Sequence, residues 1–137
     1  MHSTLLDSLS GLLDFCTYFG AALAYTAVFC TIYCKITPYD ELKLIREGNS
    51  APAISFAGAL IGFILPLYSA ITHSVGLIDM LIWALIAMIV QFAVFGMVRI
   101  MFRDLVNDIE QNRVGAATLL ASFSLAIGIL NAASMTY

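Results

Sequence analysis

Two acid–amide pairs have the residue types and spacing to bind a ligand, Glu47-x-Asn49 and Glu110-x-Asn112. A carboxylate and a carboxamide two positions apart could bind a cation or a protein partner at the mouth of a helical bundle. The alternative is structural, because each pair comes just before an apolar segment and Asn is a favoured residue at a helix N-terminus. The position favours capping, and both interpretations stay open at this point.

Polar residues inside or at the ends of apolar segments are a second set of candidates. Gln91 lies near the middle of its segment, Asp14 and Asp79 lie at the start of theirs, and Asn131 lies near the end of the last one. Together they could line a polar path for a small solute or an acidic external mouth for cations. Alternatively, the amides join neighbouring helices and the acids stabilise helix N-termini.

No arrangement of residues typical of an active site occurs in the sequence. It contains no His, Cys and Asp cluster with the spacing of a metal site, no nucleophile with a base beside it and no phosphate-binding loop. Cys16, Cys30 and Cys34 are interpreted as small apolar packing residues. We therefore expect a non-enzymatic protein without a catalytic site, a cofactor or a metal.

The distribution of charge predicts a membrane protein and its orientation. All six Lys and Arg residues lie within residues 35–46 and 99–113. Membrane insertion retains Lys and Arg in the cytoplasm, so segments 35–50 and 100–113 are predicted to be cytoplasmic and both termini periplasmic. Acidic residues accompany every cation in these segments, which leaves no basic patch for nucleic acid.

Four apolar segments are long enough to cross a lipid bilayer. The chain is 61% hydrophobic and 11% charged, whereas a soluble domain carries about 25% charged residues. A membrane helix needs about 20 apolar residues, and its backbone groups must be satisfied internally. The sequence therefore predicts an all-α membrane protein, a single membrane domain over 1–137, with four transmembrane helices near 12–34, 52–71, 78–101 and 114–134 and a tight turn at 72–77.

The first connection is predicted to contain a short interfacial helix. Thr37 suits its N-cap, Pro38 suits its first position and Gly48 suits its end. Asn49 or Ser50 is then expected to cap the second span.

The second connection is predicted to be different. Residues 99–108 contain no Gly or Pro, so the third span should continue as a helix into the cytoplasm. Asn112 is expected to cap the fourth span.

The chain aligns with itself when it is shifted by 63 residues, and the shift superposes the two acid–amide pairs. We interpret this as two copies of a two-helix hairpin, about 12–72 and about 78–135, in the same orientation. Parallel repeats suit rings and oligomers. Gly58-x-x-x-Gly62 predicts a close helix contact, either within one chain or between chains.

The first connection and the second span resemble a known family. The chain is similar to the YjfL-like family of small bacterial inner-membrane proteins of unknown function. The similarity lies in the stretch Thr37-Pro38-Tyr39-Asp40-Glu41, the later Gly48-Asn49-Ser50, Gly58, Gly62, Trp83, Gln91 and the ending 128–136. The resemblance covers nearly the whole chain and implies four spans, a duplicated hairpin and residence in the bacterial inner membrane. Members are often encoded beside envelope-stress proteins like PspA and beside relatives of glutathionylspermidine synthase. This implies a membrane partner in a stress-linked or polyamine-linked system.

Two functions are consistent with these observations. The first is a non-enzymatic subunit that forms a homo-oligomer in the lipid bilayer and docks a cytoplasmic protein partner through Lys43, Arg46, Glu47, Asn49, Arg103, Glu110 and Asn112. The second is a small oligomeric channel or transporter for a cation or small solute, with a polar path or helix contact at Asp14, Gly58, Gly62, Asp79, Gln91 and Asn131. The sequence does not identify a solute, a partner or an oligomer number.

Overall fold

The computed structural model of the chain describes residues 2–135, with side chains from Ser3 onward. Met1, Thr136 and Tyr137, which belong to the predicted domain, lie outside the described residues. Residues 2–135 form six helices, and four of them are long and apolar enough to cross a membrane. The predicted all-α architecture with four spans is therefore confirmed. The helices are α1 (His2–Ile36), α2 (Glu41–Arg46), α3 (Ser50–His73), α4 (Leu77–Met101), α5 (Leu105–Glu110) and α6 (Val114–Ser134).

The first helix is longer than predicted. α1 contains 35 residues, which is about 52 Å at 1.5 Å per residue, against a hydrocarbon core of about 30 Å. It begins at His2 and not near residue 12, because Leu5, Leu9 and Leu12 repeat at helical spacing and no Pro interrupts them. The other three spans match the predicted segments within a few residues.

The short helix of the first connection begins later than predicted. Its N-cap is Asp40, whose Oδ1 accepts the backbone N–H of Lys43 at 3.3 Å. Thr37 does not cap α2, because its hydroxyl donates to the carbonyl of Cys34 at 3.1 Å and completes the end of α1. The predicted end is correct: Gly48 has a φ of +91°, and its N–H donates to the carbonyl of Ile45.

The second connection is not a continuous helix, contrary to the prediction. α4 ends at Met101, and Phe102 adopts an extended backbone conformation. The chain then turns and forms α5, which buries Leu105 and Ile109 almost completely. The gain from burying this apolar pair against the bundle explains the break, since a straight continuation would carry both side chains away from it.

Asn112 ends α5 and does not begin α6. It has a φ of +63°, and its N–H donates to the carbonyl of Ile109 while the N–H of Arg113 reaches the carbonyl of Asp108. Gly48 ends α2 with the same pair of backbone hydrogen bonds. The N-cap of α6 is Arg113, so the predicted capping of the fourth span by Asn112 is wrong.

α3 and α6 form the most extensive helix contact of the bundle. Gly58 faces Ala121, and Gly62 and Gly128 lie against each other, so a Cβ on any of these glycines would collide with the opposite helix. Gly58-x-x-x-Gly62 therefore forms a contact within one chain. α1 packs on this pair through aromatic stacking, with the ring centroid of Phe29 4.6 Å from that of Phe63.

Candidate functional site

Gln91 joins three helices in the middle of the bundle. Its side chain is buried, and its Nε2 donates to the carbonyl of Gly62 at 2.8 Å and to the carbonyl of Ser124 at 3.1 Å. These bonds connect α4 to the close contact between α3 and α6. Because Gly62 has no side chain, the amide of Gln91 can come close to the backbone of α3 and donate to the Gly62 carbonyl. The Oε1 of Gln91 has no hydrogen-bond partner among the described residues.

The structure does not bring the other predicted path residues together with Gln91. Asp14 is exposed on α1. Asp79 lies in the first turn of α4, where its Oδ2 accepts the N–H of Val75 at 3.1 Å. Asn131 is half-buried, and its Nδ2 has no partner among residues 2–135. No hydrogen bond or ion pair joins any two of these four polar residues within the described chain.

The two acid–amide pairs separate into exposed acids and structural amides. Glu47 and Glu110 are exposed. The Nδ2 of Asn49 donates to the carbonyl of Leu44 at 3.0 Å. The Oδ1 of Asn112 accepts the N–H of Ala51 at 2.8 Å, which satisfies a free donor in the first turn of α3. Asn112 thus caps a helix of the other half of the chain.

We define the basic end as the end of the bundle that carries α2, α5 and all six Lys and Arg residues. Lys43, Arg46 and Arg103 are exposed there. Within residues 2–135 the one ion pair joins Arg113 to Asp108 at 3.0 Å. The other basic side chains therefore present their charge to the surroundings without an acidic partner among the described residues.

A buried polar cluster beneath this surface was not predicted from the sequence. Glu41 is only 1% exposed, and neither of its carboxylate oxygens has a hydrogen-bond partner among the described residues. The hydroxyl oxygens of Tyr33 and Tyr39 are also buried, and neither has a partner with hydrogen-bond geometry among residues 2–135. Thr37 and Ser55, both buried, lie beside these groups. We call Tyr33, Thr37, Tyr39, Glu41 and Ser55 the Glu41 cluster.

Three parts of the chain position this cluster. Tyr33 lies in the last turns of α1, where its ring packs in T-shaped geometry against Phe56 and Phe95. Asp40 is the N-cap of α2, so Glu41 falls in the first turn and faces inward while Leu42, about half exposed, faces outward. Ser55 lies on the buried face of α3 and donates to the carbonyl of Pro52 at 3.1 Å.

The electrostatics of the cluster follow from its burial. Loss of water raises the pKa of Glu41 to about 7, although the nearby Thr37 hydroxyl acts in the opposite direction. Burial, and then the charge of Glu41, raise the pKa of the Tyr39 hydroxyl above its ordinary range. Glu110 of α5 adds to this effect on Tyr39, so the second half of the chain also faces the cluster.

The sequence contained only a weak signal for this site. Six acidic residues lie in the two basic segments, and composition does not say which of them is buried. The one signal in the sequence was Asp40. Asp is a better N-cap residue than Thr, and Thr37 directly follows the apolar end of the preceding helix. With Asp40 at the N-cap, Glu41 and Leu42 must face different directions, and one of them must be placed against the bundle.

The chemistry available to the cluster is that of an acid without a counter-charge. Glu41 forms no ion pair with any described Lys or Arg. The described residues contain no group of three or more His, Cys, Asp and Glu side chains that could hold a metal ion. Glu41 can therefore bind a proton or interact with a cation, while the phenol and alcohol oxygens around it supply further neutral acceptors.

Four apolar helices with all basic residues gathered at one end define a multi-pass helical membrane protein. Residues 7–135 match the family described as Domain of Unknown Function (DUF350), and the chain belongs to this family. It is 39% identical to the UPF0719 inner membrane protein YjfL of Escherichia coli strain K12 over 137 residues, which is the full length of both chains. The same protein of Escherichia coli O157:H7 is equally similar over the same length.

These relatives confirm the resemblance to the YjfL-like family, and with the four apolar helices they support a multi-pass inner membrane protein. The family is one of unknown function, and the names of these relatives assign no activity. No solved structure matches the chain significantly.

Proposed function

We propose that this chain is a non-enzymatic inner-membrane subunit that forms a homo-oligomer and docks a cytoplasmic protein partner through its basic end. The observation that carries the proposal is the set of exposed basic side chains on and beside α2 and α5, Lys43, Arg46 and Arg103, which have no ion-pair partner within the described chain. The proposal takes the basic end as cytoplasmic, because membrane insertion retains Lys and Arg on that side.

The arrangement of α2 supports docking. Lys43, Arg46 and Glu47 are exposed, as is the apolar side chain of Leu42. Asp40 and Gly48 fix the two ends of the helix, so these side chains lie on a rigid element. A protein interface commonly combines an apolar centre with charged residues around it, and rim charges set the choice of partner.

The outer face of α1 supports oligomerisation. α1 contacts only a small part of the bundle, and its exposed face carries a row of small residues: Thr17, Gly20, Ala24, Ala27 and Thr31. Helices in membranes associate where small residues allow close backbone approach. We therefore assign this row to the contact between copies of the chain, in a system linked to envelope stress or polyamines as the family resemblance implies.

Charge reversal tests the docking surface. A photo-reactive residue at position 42 should crosslink a cytoplasmic protein in cells, and Lys43→Glu with Arg46→Glu should abolish that product without loss of membrane insertion. Asp7→Asn with Asp14→Asn, exposed changes far from the basic end, is the matched control and should leave the crosslink intact. An unchanged crosslink in the reversed variant would contradict the proposal.

A leucine scan tests the oligomer contact. Ala24→Leu should lower energy transfer between labelled copies in vesicles, because the larger side chain prevents close approach of the helices. Ala93→Leu, at an exposed position of α4, is the matched control. Equal energy transfer in both variants would exclude the α1 row as the interface.

A channel or transporter is the second candidate. It is favoured by two buried amide atoms that have no hydrogen-bond partner in the described part of the chain, Gln91 Oε1 and Asn131 Nδ2. The direct contact of α3 with α6 and the two hydrogen bonds of Gln91 count against a path inside one chain. Solute flux in vesicles that is unchanged by Gln91→Leu and Asp79→Asn, in folded protein, would argue strongly against this function. Loss of flux in both variants would favour it over docking.

A further inference from the structure

We propose that the Glu41 cluster is a binding site for a small monovalent cation, such as a sodium ion or a primary ammonium group. In this site the carboxylate of Glu41 and the hydroxyl oxygens of Tyr33 and Tyr39 are the ligands. The site is separate from the exposed docking surface and does not depend on it.

Several buried oxygens of the cluster lack a partner with hydrogen-bond geometry. Both Glu41 oxygens and both tyrosine oxygens are inaccessible, and none forms a hydrogen bond of good geometry within the described chain. The nearby hydroxyls of Thr37 and Ser55 donate elsewhere, to the carbonyls of Cys34 and Pro52. The four oxygens come from the end of α1, the connection and α2, and no hydrogen bond joins any two of them. A buried polar group without a partner costs about 1 to 3 kcal/mol, and an unpaired charge costs more. One group placed between these oxygens would satisfy them together.

The side chains beside Glu41 carry no positive charge. Tyr33 and Cys34 come from α1, and Thr37 and Tyr39 come from the connection. Around these neighbours, Ser55 of α3 is neutral, and Asp40 and Glu110 are acidic. Glu41 makes no ion pair with a described basic side chain. A buried carboxylate needs a compensating positive charge, and nothing in this surrounding supplies one.

The ligand set of the cluster indicates the class of cation. One carboxylate balances one positive charge, and neutral hydroxyl oxygens complete the ligand set. Ca²⁺ takes about six to eight oxygen ligands with several carboxylates, and Zn²⁺ takes nitrogen and sulfur ligands. Protonation of Glu41 would neutralise its charge but would leave the two phenol oxygens unsatisfied. A monovalent cation accounts for all four oxygens at once.

Thermal unfolding of the purified full-length chain in detergent at pH 8 tests the site. The probes are sodium, potassium, ammonium and methylammonium chloride, each replacing choline chloride at constant ionic strength. At least one of these cations should raise the unfolding temperature, and the rise should reach a plateau as the cation concentration increases. The alkali-metal and amine series then show whether the site takes an inorganic ion or an ammonium group.

Variants decide whether the effect belongs to Glu41. Glu41→Gln should abolish the cation effect, and Glu47→Gln, an exposed acid at the end of the same helix, should retain it. Tyr39→Phe should weaken the apparent affinity about tenfold, the equivalent of one lost hydrogen bond, and it tests the site even if Glu41→Gln does not fold. A cation effect that survives in Glu41→Gln or is unchanged in Tyr39→Phe would overturn the proposal. A chain that responds to pH and to none of the four cations would also overturn it, because the cluster would then take a proton only.

Discussion

Glu41 is the residue at which the fold departs most from ordinary rules for side-chain burial. Asp and Glu are almost never fully buried without a partner, yet Glu41 is 1% exposed with both oxygens unpaired in the described chain. The N-cap at Asp40 fixes the direction of Glu41, and Leu42 takes the outward position. Such departures concentrate at sites that do more than hold the fold together.

The raised pKa of Glu41 predicts a stability that falls as the pH rises. Its pKa is about 7 in the folded chain, against an ordinary value of 4.5, so the folded state holds the proton more tightly. The stabilisation is complete below pH 4.5, declines between pH 4.5 and 7 and is absent above, a difference of about 3 kcal/mol. In choline buffer, Glu41→Gln should match the wild type at pH 4 and exceed its unfolding free energy at pH 8.

Equilibrium unfolding in mixed detergent at several pH values measures this difference. Glu47→Gln, an exposed acid near the same helix, is the control and should show the wild-type slope. If Glu41→Gln had the same slope as the wild type, the carboxyl would be hydrated in the folded protein.

Asn112 has two structural roles, one through its backbone and one through its side chain. Its backbone adopts a φ of +63° to end α5, and its Oδ1 caps α3 through the N–H of Ala51. Asn112→Ala loses the cap and strains the turn and should cost about 2 kcal/mol. Asn112→Gly loses only the cap and should cost about 1 kcal/mol, while Asn112→Asp keeps the acceptor and should stay near wild type. The test is the unfolding free energy of the three variants, which should decrease in the order Asp, Gly, Ala. Equal values for the Gly and Asp variants would show that the cap contributes nothing.

At the scale of helices, the spans could be predicted and their connections could not. Apolar length alone locates α3, α4 and α6, because lipid requires about 20 apolar residues per helix. The break after Met101 depends on where Leu105 and Ile109 are buried, and that is a property of the assembled bundle. Burial of Glu41 depends in the same way on α1, α2 and α3 meeting, which the charge pattern of the sequence does not encode.

The glycines of the α3–α6 contact predict a sharp difference between two similar substitutions. A Cβ at Gly62 would meet the backbone of Ser124 and the amide of Gln91, whereas a Cβ at Gly96 of α4 would meet nothing within 4 Å. Gly62→Ala should therefore destabilise the chain by about 1 to 3 kcal/mol through overpacking. Gly96→Ala should be neutral or stabilising by up to about 1 kcal/mol, because Ala favours the helix.

Unfolding free energies of the two alanine variants, measured side by side in the same detergent, provide the test. A loss of similar size in both variants would mean that the cost comes from helix substitution in general and not from the contact between α3 and α6.

At the scale of the whole molecule, charge and shape divide the bundle into two unlike ends. The basic end holds all six Lys and Arg residues, the exposed side chains of α2 and α5 and the Glu41 cluster. The opposite end holds Asp7, Asp14 and Asp79 and no basic residue. The long α1 extends on that opposite side, where residues 3–17 are all exposed.

This asymmetry predicts the orientation in the membrane. With the basic end in the cytoplasm, alkaline phosphatase fused after Met135 should be exported and active, and a fusion after Gly48 or Asp104 should be inactive. The reverse pattern would place the basic end outside and would remove the premise of cytoplasmic docking.

The predicted pattern would place the Glu41 cluster at the cytoplasmic side, where the ambient pH lies close to the Glu41 pKa of about 7. Small changes in cytoplasmic pH or cation content would then change the charge of this buried site directly beneath the proposed docking surface.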